Sequence, residues 1–285
     1  MNGKTVVITG GTSGIGQAAA EKLAGMGARL VLVARDQARG EAALARLRAK
    51  APGVAHRVYY ADLSHLAEMK QVALEIAAAE PRIDVLINNA GGMFTRRQVT
   101  KDGLEMTFAT NHLSYFVLTQ LLCERLAASA PARVVNTASH AHKGAWLDFD
   151  DLQMERSYSG FRAYGRSKLC NILFTRQLAR RLAGTGVTTN SLHPGFVDTR
   201  IGDQNKGFGS HVFGFLKKFA LSPEQGAETI VYLASSDVPA VVSGAYFYKC
   251  QVTPPTKEAQ DDDAARRLWQ ESERLAGLRS VATAP

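Results

Sequence analysis

Short apolar runs at residues 5–9, 29–34, 57–60, 85–88, 133–137, 188–192 and 245–248 alternate with longer Ala-, Leu- and Arg-rich stretches. Those stretches, among them 17–25, 38–50 and 105–128, carry helical spacing. A strand that is apolar on both sides must be covered on both faces. Neighbours separated by a helix-length segment pair in parallel through crossovers. The alternation therefore predicts an α/β chain with one doubly wound parallel sheet of about seven strands and helices on both faces.

No repeat or low-complexity linker interrupts this pattern, so residues 1–285 read as a single domain. With 46% hydrophobic and 21% charged residues, the chain has material for a large core, and disorder is excluded. No stretch approaches the roughly 18 apolar residues of a membrane span. The first residues run straight into a strand with no signal-peptide pattern. Cys123, Cys170 and Cys250 are too widely spaced for a disulfide framework or a zinc site. A cytoplasmic protein is expected. The net charge of +8 is dispersed, without a basic run interleaved with aromatics, so no nucleic-acid partner is expected.

Two segments leave the alternation. Residues 143–161 are polar and aromatic, and about 200–221 are rich in Gly and Phe. Excursions beyond the carboxyl ends of parallel strands are where open α/β sheets bind ligands. About 257–276 reads as an amphipathic C-terminal helix with Leu268, Trp269, Ser272 and Leu275 near one face.

Thr9-Gly10-Gly11-Thr12-Ser13-Gly14-Ile15-Gly16 follows the first strand and opens the first helix. Glycines there permit unusual dihedrals and let a diphosphate approach the backbone, while the helix directs its free N–H groups at it. The strand before it and the helix after it make this turn read as a dinucleotide site on a Rossmann fold rather than a plain Gly-rich turn. The Gly-x-x-x-Gly-x-Gly spacing resembles that of the classical short-chain dehydrogenase/reductase family.

The end of the second strand selects the cofactor, since an acid there bonds the ribose hydroxyls of NAD and repels a 2′-phosphate. Ala34 stands where NAD-preferring members of the family look to have Asp, and Arg35 follows. Arg35 could grip a 2′-phosphate by a charge-assisted fork, helped by Ser13 and Arg39. NADP is the expected cofactor, with NAD less favoured and Asp36 the residue against it. By resemblance, Asp62 and Leu63 cap the adenine. Asn88-Asn89-Ala90-Gly91 matches the family's Asn-Asn-Ala-Gly signature beside the adenosine ribose, which brings Asn89, Ala90 and Gly91 into the cofactor set.

Tyr164-Gly165-Arg166-Ser167-Lys168 puts a phenol and an ammonium on one helix face. A phenol of pKa about 10 is a poor acid–base group at neutral pH unless nearby positive charge lowers it. Lys168 and an oxidised nicotinamide are expected to do so, letting Tyr164 exchange a proton with a carbonyl or alcohol oxygen. By resemblance, Ser139 hydrogen-bonds the substrate oxygen and Asn111 holds a water in a proton relay to Lys168, which also binds the nicotinamide ribose. His193-Pro194-Gly195-Phe196-Val197-Asp198-Thr199 is similar to the family's Pro-Gly segment. There Pro194, Gly195, the Val197 backbone and the Thr199 hydroxyl hold the carboxamide.

His140 and His142 do not amount to a metal site, and none is expected. Cys170 reads as a small core residue. Phe208, Phe213, Phe215 and Phe219 read as core or as an apolar substrate lid, with the lid favoured. Ser139-His140-Ala141-His142, Tyr158-Ser159-Gly160 and the tail Pro254-Pro255-Thr256-Lys257 are similar to the retinol dehydrogenase-like branch. The resemblance implies an NADPH-dependent carbonyl reductase for an apolar aldehyde or ketone. The alternatives are an NAD(P)-dependent alcohol, retinol or steroid dehydrogenase working oxidatively, and a non-catalytic NADP sensor. Family members often form homodimers or homotetramers through the helices holding Asn111 and Tyr164.

Overall fold

The computed structural model describes residues 1–196 and 221–278. Its sheet contains β1 (Thr5–Thr9), β2 (Arg29–Ala34), β3 (Arg57–Tyr60), β4 (Val85–Asn88), β5 (Ala132–Thr137), β6 (Val187–Leu192), β7 (Tyr246–Tyr248) and β8 (Gln251–Val252). The spatial order is β3-β2-β1-β4-β5-β6-β7-β8. Every pairing is parallel except the last. This is the doubly wound Rossmann arrangement, with one strand more than expected. The extra strand is a two-residue hairpin return in which Lys249 and Cys250 take φ of 49° and 61°, the left-handed pair that a tight hairpin turn needs. Gln251 and Val252 are exposed, so no apolar pattern marks them.

Helices α1 (Gly14–Gly25) and α2 (Gln37–Lys50) pack on one face of the sheet together with α7 (Pro223–Ser235). On the other face lie α3 (Leu66–Ala79), α5 (Ser114–Ala128), α6 (Gly160–Arg181) and α8 (Asp262–Ala276). Because β1 sits between β2 and β4, the connections leaving β1 and β4 diverge to opposite faces. A crevice opens between them at the carboxyl ends.

The helix expected over 105–128 is interrupted. A short α4 (Met106–Phe108) passes into a π-turn at Ala109–Leu113 before α5 begins. Thr110 Oγ1 donates to Met106 O and Ser114 Oγ to Thr110 O, both at 2.6 Å. These hydroxyl back-bonds brace the widened turn. The C-terminal helix begins at Asp262, after a 3₁₀ turn at Glu258–Gln260, because the Asp261 carboxylate caps the N–H groups of Asp263 and Ala264. Trp269 stacks on Phe174 at 5.8 Å and meets Phe116 edge-on at 5.0 Å, fastening α8 across α5 and α6. Among the described residues, no helix is long and apolar enough to cross a membrane.

Candidate active site

The turn after β1 has the form a diphosphate requires. Gly10 has φ +69°, and a Cβ there would lie 2.9 Å from Ala90 Cα. A Cβ on Gly16 would lie 2.3 Å from Gly10 O. Ser13 caps α1 without a side-chain hydrogen bond, and the first turn holds no acid. Its N–H groups and positive dipole end are therefore available to an anion. Thr12 and Gly14 are partly exposed, Ser13 is exposed, and Ile15 is turned into the core. These residues fit a dinucleotide.

The loop after β4 is bolted to that turn. Thr9 Oγ1 accepts the N–H groups of Asn89 and Ala90, each at 3.0 Å. Asn89 Nδ2 reaches Thr9 O and Gly10 O, both at 3.3 Å. At the end of β3, Asp62 Oδ1 accepts the N–H and hydroxyl of Ser64 at 3.0 and 2.8 Å. This fixes the bend that carries the buried Leu63. Arg35 and Arg39 are exposed, and among the described residues their guanidinium groups make no hydrogen bond or ion pair. Asp36 instead accepts the Arg39 N–H at 2.8 Å and caps α2.

The four expected catalytic residues converge. Ser139 follows β5 as the cap of a 3₁₀ turn, its Oγ accepting the Ala141 N–H at 3.2 Å, and its hydroxyl is near enough to the Tyr164 phenol to act on its pKa. Lys168 is 4% exposed. Its Nζ donates to Thr137 O at 3.0 Å and lies 5.5 and 5.8 Å from the ring centres of Tyr164 and Tyr115. Asn111, in the π-turn, accepts the Gly92 N–H at 2.8 Å and donates to Gly92 O and Ser167 Oγ at 2.9 Å each. Both amide hydrogens of Asn111 are thereby used. A water held there has only the residue's oxygens as partners.

One expectation is corrected. In the protein alone, burial raises the Tyr164 phenol above its usual value, opposed only by the nearby Ser139 hydroxyl. Lys168 does not lower it, because burial also depresses the ammonium, to about 7. Near neutrality that group carries only part of its charge. A bound oxidised nicotinamide would supply positive charge that the protein alone lacks.

The histidines have structural partners. His142 is buried, its Nδ1 2.7 Å from Ser139 O, and its ring meets Tyr246 at 5.1 Å. His193 stacks on Tyr248 at 4.0 Å and meets His140 edge-on at 5.4 Å. Among the described residues, no group of three or more His, Cys, Asp or Glu could hold a metal. Cys170 is buried and its thiol is pushed up. Pro194 is partly buried, and Gly195 takes φ +89° against Leu221. Val197, Thr199, the four loop phenylalanines and all but the last residue of the expected substrate loop lie outside the described residues.

Sequence reasoning did not single out Tyr115, Asn136 and Asn171. Asn88 Nδ2 donates to Thr119 Oγ1 at 3.0 Å and to Asn136 Oδ1 at 2.9 Å, and Asn136 Nδ2 donates to Thr175 Oγ1 at 3.0 Å. This buried polar layer holds β4, β5 and α6 in register beneath the catalytic groups. An asparagine inside an otherwise apolar strand is the one signal that could have found it.

A family model described as short chain dehydrogenase matches residues 4–207. Human retinol dehydrogenase 13 is 43% identical, covering 97% of this chain and 85% of that protein. Human retinol dehydrogenase 14 is also 43% identical, covering 98% of this chain and 88% of that one. Among solved structures, an uncharacterized protein from Mycobacterium paratuberculosis has a TM-score of 0.81 at 33% identity, covering 99% of this chain and 96% of its own. The Pseudomonas aeruginosa RhlG/NADP active-site complex has a TM-score of 0.69 at 27% identity, covering 87% of this chain and 94% of its own.

Proposed function

We propose that this chain, which belongs to the short-chain dehydrogenase family and is an NAD(P)-dependent oxidoreductase of CH–OH and C=O groups, reduces an apolar aldehyde or ketone with NADPH. The observation that carries the reading is the buried Lys168 with its Nζ 5.5 Å from the Tyr164 ring centre, and the Ser139 hydroxyl near enough to the phenol to act on its pKa. A carbonyl oxygen set between the two hydroxyls accepts hydrogen bonds from both. As negative charge grows on that oxygen, Tyr164 transfers its proton to it. Bound NADPH supplies the hydride to the carbonyl carbon. As the phenolate forms, Lys168, resting on Thr137 O with its Nζ 5.5 Å from the Tyr164 ring centre, is drawn into its charged form and only then offsets the new negative charge.

The preference for NADPH is supported at the end of β2. Ala34 offers no acid to a 2′-phosphate, Arg35 is exposed and unengaged among the described residues, and Asp36 is spent on capping α2. An apolar substrate is supported by Phe196, 55% exposed directly after the Pro-Gly segment, and by the retinol in the names of the human relatives.

The test is equilibrium binding of NADPH and NADH, followed by cofactor oxidation against a panel of apolar aldehydes that includes retinal. Aldehyde-dependent oxidation is expected in the native chain and not in Tyr164→Phe, with NADPH affinity alike in both. Turnover retained by Tyr164→Phe would sink the assignment.

A further inference from the structure

His193, the residue after β6, is buried, and its ring stacks on Tyr248 with centres 4.0 Å apart and planes 12° apart. Its backbone is fixed as well, since the His193 N–H donates to Phe247 O at 3.1 Å. Pro194 and Gly195 follow, with Gly195 at φ +89°. A proline followed by a glycine at positive φ is the pairing of a type II turn. The hydrogen bond of such a turn uses the N–H of the residue after the glycine, so the glycine's own N–H needs another acceptor. His193 supplies it: the Gly195 N–H donates to His193 Nδ1 at 3.1 Å. The far side of the turn is held by Leu221, whose N–H donates to Phe196 O at 2.8 Å and whose Cδ1 lies 2.6 Å from where a Cβ on Gly195 would stand.

The Pro194–Gly195 peptide has two orientations, because turning it over carries a type II turn into type I, and glycine tolerates both. The bond to Nδ1 selects the one in which the N–H faces the imidazole and the Pro194 carbonyl faces away from it. An imidazole that accepts at Nδ1 is neutral with its proton on Nε2. Burial favours that neutral ring, holding its pKa to about 4. We propose that His193 is a positioning residue for the nicotinamide: its Nδ1 locks the Pro194–Gly195 peptide, and with it the segment that receives the carboxamide, before the cofactor arrives. The proposal rests on the reading of this segment as the carboxamide site.

His193→Phe keeps an aromatic ring against Tyr248 and removes the acceptor, so its effect should fall on the nicotinamide end of the cofactor alone. NADPH affinity should drop about tenfold, the scale of a hydrogen bond lost from a preorganised site. The fragment 2′-phosphoadenosine diphosphoribose, which lacks the nicotinamide, should bind as tightly as it does to the native chain. A lower kcat should accompany the loss. His193→Asn should recover both NADPH affinity and kcat, because an Asn side-chain oxygen accepts the N–H two residues on.

A second measurement needs no variant. Long-range nitrogen–proton NMR of the histidine-labelled protein should show His193 neutral at pH 7 with its proton on Nε2. A proton on Nδ1 would overturn the proposal. So would a folded His193→Phe protein that binds NADPH as the native chain does, or one that loses the fragment as severely as NADPH, the mark of damage to the fold at large. A native chain that binds neither compound would instead overturn the dinucleotide reading, and the proposal with it.

Discussion

The Asp36 carboxylate accepts the backbone N–H of Arg39 at 2.8 Å, so the acid beside Arg35 is a helix cap. With its carboxylate aimed at α2, it has little to offer a ribose hydroxyl. Arg35→Ala is therefore expected to weaken NADPH binding by at least tenfold, the scale of a lost charge-assisted contact to phosphate, with NADH binding nearly unchanged. Fluorescence titration with both nucleotides checks this. Equal losses for the two would show that Arg35 does not read the 2′-phosphate.

Gly16 admits no side chain. A methyl there would sit 2.3 Å from both Gly10 O and Asn89 Nδ2, and the carbonyl is backbone held in the turn. Gly16→Ala is expected to push the glycine turn away from the loop after β4. Dinucleotide binding should be lost while the circular dichroism spectrum keeps its helix content. Near-native affinity in calorimetry would mean that the turn can relax without harm.

Lys168 is a functional group that costs stability. Its pKa is about 7 in the folded chain against 10.5 when free, so the folded state binds fewer protons between those values. The penalty of the buried ammonium is complete below about pH 7 and fades as pH rises towards 10.5. Lys168→Met should abolish turnover and raise the melting temperature, most strongly at pH 6 and least near pH 10. Melting curves at the two pH values decide the matter. A gain that does not depend on pH would point to packing alone.

Acid should loosen the fold before the carboxylates titrate. His112 and His193 are held to about 3 and about 4 against 6.5 when free, chiefly by burial. Burial also lowers His56 and His142. Groups buried neutral contribute stability that is full above pH 6.5 and is lost as pH falls towards the folded pKa. For His112 alone the loss is about 1.4 kcal/mol per pH unit across that window. Denaturant midpoints should decline from pH 6.5 to 4.5, and His112→Phe should flatten part of that slope. A midpoint constant over this range would refute the assignment.

Strands β1, β2 and β4 begin and end where their apolar runs do, because a parallel strand covered on both faces leaves an uninterrupted hydrophobic signal. The hairpin return at Gln251 and Val252 and the π-turn around Asn111 were invisible for the opposite reason. One is an exposed edge, and the other is set by how carbonyls and hydroxyls share partners over a single turn. Tyr164 and Lys168 could be named from their spacing on one helix face, and Ser139 and Asn111 from their resemblance to the family's motifs. Their electrostatics could not, since the depressed Lys168 and the raised Tyr164 follow from burial that only the packed structure supplies. Ser272 gave no sign of its place beside His112, being 160 positions away from it.

The docking of α8 also bears on the order in which the protein becomes competent. Synthesis proceeds from the N-terminus, so the sheet, the glycine turn and the Tyr164 helix all emerge before Trp269 and Ser272. Until those last residues arrive, Phe116 and Phe174 have no indole to cover them, and His112 lacks its partner on α8. A nascent chain, or one clipped near its end, can thus own the glycine turn of its dinucleotide cleft while the aromatic core behind the Tyr164 helix stays uncovered.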